Sequence, residues 1–197
     1  METHAGINAY YAKDRKKWRV WLAKNGAKEK SVWLIMYRKE TGKKSITYAE
    51  AVEEGLCFGW IDSKANKRDE ESFYQFFAKR NPKSNWSKLN KERVAKLIEQ
   101  GQMTEKGMEV IEIAKTNGRW TSLDKIENLE LPADFKKALK QNPAAAKNYE
   151  AFPRSAKKGI LEWIQNAKRI ITREKRILET VTLAEKNIRA NQYKPKS

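Results

Sequence analysis

The segment GLCFGWIDS, Gly55 to Ser63, contains the chain's one cysteine, Cys57, and closes on Asp62 and Ser63. A thiolate nucleophile needs a neighbour that lowers its pKa, usually a histidine oriented by a carboxylate or amide. The single histidine is His4, expected in a mobile N-terminal tail, so a Cys–His pair is not expected. Cys57 instead falls near the end of an apolar helical face and reads as packing, in keeping with the burial usual for this residue type. One Cys and one His make no zinc set, and neither a Glu-x-x-His pattern nor an EF-hand loop occurs. Phosphate-cradling glycine motifs and the Gly-x-Ser-x-Gly elbow are also absent. Asp62, Asp69 and Glu70 lie on or beside a predicted hairpin, where a wet loop is the plainer reading. Glu50 and Glu54 read as a solvated helix face. No catalytic residue, metal ligand or cofactor is assigned.

Binding is better served. Trp60, Asp62 and Lys64 are expected on one face of a strand, with Arg80, Lys83 and Trp86 along the exit from the next strand and Tyr48 on a neighbouring helix. Aromatic platforms interleaved with cations suit a flat anionic ligand or single-stranded nucleic acid. The competing reading is that the tryptophans fill the interface between sheet and helices. A second cluster comprises Lys168, Arg169, Arg173 and Arg176 around one turn, with Lys157 and Lys158 a helix earlier. These are candidates for contact with phosphate, without any signature of sequence-specific reading. The charge supports either site: 42 basic residues against 25 acidic give +17, which attracts nucleic acid or an acidic surface.

The elements that would position these residues can be read from periodicity and caps. Asp14 to Gly26 places Trp18, Trp21 and Leu22 at helical spacing and stops at Asn-Gly. Ser31 to Arg38 reads as a buried strand. Thr47-x-x-Glu50 is a capping box opening a helix that buries Tyr48, Val52 and Leu56, with Gly59 as its left-handed stop. Residues 59–65 and 72–80 alternate as an antiparallel hairpin. Ser87 and Thr104 cap two helices, ended by Gly101 and Gly118, that bury Val94, Leu97 and Ile98, then Met108, Ile111 and Ala114. Residues 119–133 read as a loop. Four helices follow, at 133–141, 143–150, 156–168 and 173–187, with Asn142, Ser155 and Thr172 at N-cap positions. The expected fold class is α+β: a small antiparallel sheet of about three strands packed with helices, then a helical C-terminal half. The expected domains are an α/β unit with two trailing helices at 1–120 and a helical module at 130–190.

The N-terminus has no apolar signal-like core, and the longest apolar run, Val32 to Tyr37, is too short to span a bilayer. A lone cysteine makes no internal disulfide. Together these point to a cytoplasmic protein of undetermined oligomeric state.

KSITYAEAVEEGLCFGWIDS, RNPKSNWSKLNKERVAKLIEQGQM and AKTNGRW resemble the body of the bacterial YdeI/OmpD-associated, or bacteriocin-protection, family. FPRSAKKGILEWIQNAKRIITREKRI is similar to that family's C-terminal module, through Trp163-Ile164, Ala167-Lys168, Thr172-Arg173 and Arg176-Ile177. The resemblance spans about residues 13–187. It implies a bacterial protein associated with tolerance to bacteriocins or cationic antimicrobial peptides, and carries over no catalytic residues. A +17 chain repels such peptides and can only compete with them for anionic surfaces. The function expected from the sequence is therefore a non-enzymatic, basic stress-tolerance protein contacting an anionic partner. The alternatives are a small-molecule binder or enzyme with a pocket near Trp60, Asp62, Arg80 and Trp86, and a nonspecific nucleic-acid binder.

Overall fold

The computed structural model describes residues 2–192. The chain divides into two units, one up to Thr121 and one from Ser122 onward.

The first unit is built on a mixed sheet that has five strands among the described residues, in the order β1-β2-β3-β5-β4. Strands β1 (Thr3–His4) and β2 (Ile7–Tyr11) form a short antiparallel pair, and β2 runs parallel to β3 (Ser31–Tyr37). Helix α1 (Arg15–Asn25) makes the crossover that a parallel pair requires. Strand β5 (Ser72–Lys79) lies between β3 and β4 (Trp60–Lys67), antiparallel to both. The sheet is thus larger than the three strands expected and is not purely antiparallel. The N-terminal stretch supplies the difference: His4 sits in a strand and not in a tail.

Helices α1, α2 (Tyr48–Cys57), α3 (Lys88–Glu99) and α4 (Glu105–Thr116) complete this unit. Caps set their starts. Asp14, Ser87 and Thr104 each accept a hydrogen bond from the backbone three residues on, and Thr47 with Glu50 forms the full reciprocal box. The core gathers Trp18, Leu22, Val32, Leu34, Val52, Leu56, Cys57, Trp60, Phe77 and Trp86, all buried. The expected burial of Tyr48 and Ile98 does not hold, since both stay nearly half exposed. The opposite sheet face carries a smaller cluster of Ala9, Trp33, Ile35 and Tyr74. His4 stacks on Tyr74 and meets Trp33 edge-on.

Two local features matter for the site. The register of β4 on β5 pairs Asp62 with Phe77 and Ala65 with Gln75. Ser63 and Lys64 therefore oppose Phe76 alone, a β-bulge. The extra residue turns Lys64 to the far face, where its ammonium lies over the rings of Trp33 and Phe76. Trp60, Asp62 and Lys64 consequently do not share a face as alternation alone predicts. The second feature is Gly59, which joins α2 to β4 at φ +73°. A Cβ there would stand 2.8 Å from Val110 Cγ2, so α4 packs at a distance only glycine allows.

The second unit is helical: α5 (Asp124–Glu127), α6 (Ala133–Lys140), α7 (Pro143–Ala151), α8 (Arg154–Gln165) and α9 (Ile170–Glu185). They enclose Phe135, Tyr149, Phe152, Ile160, Leu161 and Ile164. The segment expected as loop contains α5, which buries Ile126. The last two helices begin earlier than Ser155 and Thr172 suggest, with Pro153 and Arg169 at the N-cap positions and no capping side chain at either.

Candidate functional site

A cleft of about 710 Å³ opens in the first unit, within the size range of small-molecule sites. Leu22 and Ala23 of α1, Phe58 and Trp60 around the start of β4, and Val110 and Ile113 of α4 give it apolar walls. Lys79 and Arg80, where β5 ends, and Lys106 of α4 supply cations. Lys79 Nζ donates to the Ala27 carbonyl at 2.7 Å, and Lys106 is paired with Glu109 at 2.6 Å. Glu105 and Glu109 of α4 line the cleft as well, so Arg80 is distinguished from the other charges there by its burial.

Arg80 is only 7% exposed. Its amide is fixed by the Gly59 carbonyl at 2.9 Å, and its guanidinium lies 3.8 Å from the centroid of the Trp86 ring. Nη2 donates to the Asn85 carbonyl, while Nε and Nη1 are buried and find no partner among the described residues. Burial pushes the guanidinium down to about 10, and the nearby Asp62 carboxylate works against that shift. Arg80 is a cation at neutral pH with two donors unspent. Such a group strongly favours a state in which an acceptor reaches it.

Of the other sequence candidates, only Trp60 lines the cleft with Arg80. Trp60 is 1% exposed and lines the cleft from the core side. Trp86 is buried beneath Arg80 and faces Trp120 at 4.9 Å. Tyr48 donates its hydroxyl to Asp62 Oδ2 at 2.6 Å, and its pKa is pushed up to about 12 by burial and by that acceptor. Neither Tyr48 nor Asp62 lines the cleft. Lys83 is exposed in the following loop, its amide held by Asn81. The contribution of α4 escaped the sequence reading. A signal was present, since Val110 and Ile113 are apolar yet lie off the buried stripe of Met108, Ile111 and Ala114.

Cys57 is fully buried, and desolvation, followed by the Glu54 charge, raises its thiol while Arg19 opposes the rise. His4 cannot serve it, because His4 packs on the opposite face of the sheet. Beside the thiol is a network the sequence did not show. Glu54 is 2% exposed and accepts from Arg15 Nε at 2.6 Å and from Arg19 Nη1 at 2.8 Å. Arg15 also reaches Glu53, and both arginines reach Gln102. Glu54 is therefore not the solvated residue expected; Glu50 closes the capping box.

In the second unit the basic candidates separate. Lys157 pairs with Glu150 at 3.5 Å and Lys158 with Glu127 at 2.6 Å. Arg173 grips Asp134 through two nitrogens and donates to the Ile164 carbonyl, while Arg176 donates to the Trp163 carbonyl. These two arginines thus cap the last turn of α8. Lys168 and Arg169 stand exposed between α8 and α9.

No helix among the described residues is long and apolar enough to cross a membrane. Comparison with protein-family models finds two matches. Residues 10–110 match the model described as Domain of unknown function (DUF8412), and residues 128–187 match the model described as Bacteriocin-protection, YdeI or OmpD-Associated. Of the span 13–187 over which the sequence resembles the latter family, that family's model covers 128–187; most of the body falls in the other match, and AKTNGRW, 114–120, in neither. No curated protein and no solved structure matches the chain.

Proposed function

Since the chain belongs to the DUF8412 family and ends in a YdeI/OmpD-associated module, descriptions that specify no reaction, we propose from the geometry that it is a non-enzymatic binding protein for a small organic anion. The ligand has an apolar body, lodged between Trp60, Phe58, Val110 and Ile113, and a carboxylate or similar oxyanion that meets Arg80. The observation carrying this reading is the Arg80 guanidinium, buried in the wall of a largely apolar cleft with two nitrogens that find no partner among the described residues. With Nη2 already donating to Asn85, Nε and Nη1 point in different directions, so an oxyanion meets one of them in a single charge-assisted bond, which a low-dielectric wall strengthens. The anionic partner expected from a charge of +17 is on this view a small molecule drawn to one buried cation.

Two fluorescent probes with nearly the same aromatic body test this. Anilinonaphthalene sulfonate carries a sulfonate; phenylnaphthylamine is neutral. Titration of the folded chain should give saturable enhancement with the sulfonate, at least roughly tenfold tighter than with the amine, the worth of one charge-assisted hydrogen bond. Equal affinity for the two probes would remove the anion from the proposal. Absence of saturable binding by either would remove the cleft.

A further inference from the structure

The second unit exposes apolar side chains in an unusual setting. Ile170 and Ile171, the first two residues of α9, are 77% and 79% exposed, and Leu178, two turns along, is 67% exposed. Ile171, Lys175 and Leu178 fall on one helical stripe by their spacing. Beside it a groove of about 380 Å³ runs between α6 and α9, lined by the apolar Ala138, Ile177 and Val181, by Asp134 in its pair with Arg173, and by Glu174. Cations frame the isoleucines: Lys168 and Arg169 precede them, Lys175 follows, and all three are exposed. From Lys168 to Leu178 there are five basic residues and one acid. The N-terminus of α9 has no capping side chain and no acid in its first turn, so its dipole also favours an anion here.

We infer that this α8–α9 corner docks on an anionic lipid surface, with Ile170 and Ile171 entering the headgroup boundary and Lys168, Arg169 and Lys175 pairing with lipid phosphates. Charge complementarity selects this occupant. A second copy of a +17 chain would bring like charges face to face. A nucleic acid strand rewards aromatic platforms more than adjacent β-branched aliphatics. Aliphatic tips within a basic collar match an interfacial anchor, where apolar insertion and electrostatic attraction reinforce each other.

The test is co-sedimentation of the full chain with phosphatidylcholine vesicles, with and without phosphatidylglycerol. The wild type should sediment only with the phosphatidylglycerol vesicles and should release as salt rises. Ile170→Ser/Ile171→Ser should weaken binding at least roughly tenfold through lost apolar insertion. Lys168→Gln/Arg169→Gln should weaken it about tenfold or more through lost attraction. Both pairs are exposed, so an unchanged melting curve will show that the fold is intact. Equal sedimentation with neutral vesicles overturns the inference, as does wild-type binding by the serine variant. So does failure of the wild type to sediment with the phosphatidylglycerol vesicles; a dimer that the serine variant dissociates, or polynucleotide binding that it abolishes, would then identify the occupant instead.

Discussion

The Arg80 guanidinium lies 3.8 Å from the centroid of the Trp86 indole, with both side chains buried and two guanidinium nitrogens unpaired among the described residues. Cation–π attraction and one hydrogen bond hold the cation in place, but they do not offset the desolvation of the remaining donors. The arrangement costs stability, and it makes sense if the charge is kept for a ligand. Arg80→Met, which retains the stacking volume and removes the unpaired donors, should therefore unfold at the same denaturant midpoint or a higher one, within about 1 kcal/mol. A loss beyond about 3 kcal/mol would mean that the guanidinium holds the fold together.

The network around Glu54 should behave asymmetrically. Arg15 and Arg19 keep about a third of their side-chain surface in water, whereas Glu54 keeps 3%. Glu54→Gln leaves two cations that can turn to solvent and should cost about 1–2 kcal/mol. Arg15→Met together with Arg19→Met strands a buried carboxylate and should cost about 3–5 kcal/mol. Urea denaturation of both variants gives the comparison; equal losses would contradict the burial argument.

Cys57 should resist alkylation. Iodoacetamide should modify the folded chain at least roughly a hundredfold more slowly than the chain in denaturant, because the thiol is inaccessible and its ionisation is suppressed. The raised thiol also sets a pH trend. The unfolded chain loses its proton near the ordinary value of 9 while the folded chain keeps it. Folding stability must then fall as pH rises above that value. Cys57→Ala should remove this component of the slope, as denaturant titrations on either side of that pH will show.

Close approach at two glycines should be costly to relieve. A Cβ on Gly107 would stand 2.3 Å from the Cys57 carbonyl oxygen, where Thr104 Oγ1 already donates at 2.6 Å. Gly107→Ala should therefore cost about 3 kcal/mol or more. Gly59→Ala meets Val110 and a positive φ together and should cost about 2–3 kcal/mol. Gly118→Ala, also at positive φ but with nothing within 4 Å, should cost only about 1 kcal/mol. Thermal unfolding of the three variants should reproduce that order.

The parts of the structure legible in the sequence were those with local causes. Asp14, Thr47, Ser87 and Thr104 announce their helices because the cap bond spans three residues. Gly59 and Gly101 mark helix ends because a left-handed residue follows. What depends on partners far along the chain stayed hidden. Strand β2 is defined by Trp33, Leu34 and Ile35, reached across α1. Burial of Glu54 depends on arginines 35 and 39 residues away. The bulge that sends Lys64 across the sheet leaves no mark in the alternation of residues 60–65. The candidate site divides the same way: Trp60 and Arg80 were named from the sequence, but the wall opposite them comes from α4, a helix distant in the chain.

The central claim is that Arg80 and the apolar cleft act as one site, and the most direct measurement is the dissociation constant of anilinonaphthalene sulfonate for three chains. These are the wild type, Arg80→Gln, and Ala23→Trp, which fills the cleft from an exposed position on α1. The predicted result is saturable binding by the wild type, weakened about tenfold or more by Arg80→Gln and abolished by Ala23→Trp, with all three chains folded. Equal binding by all three would contradict the account, because the dye would then sit elsewhere and the buried guanidinium would serve no ligand.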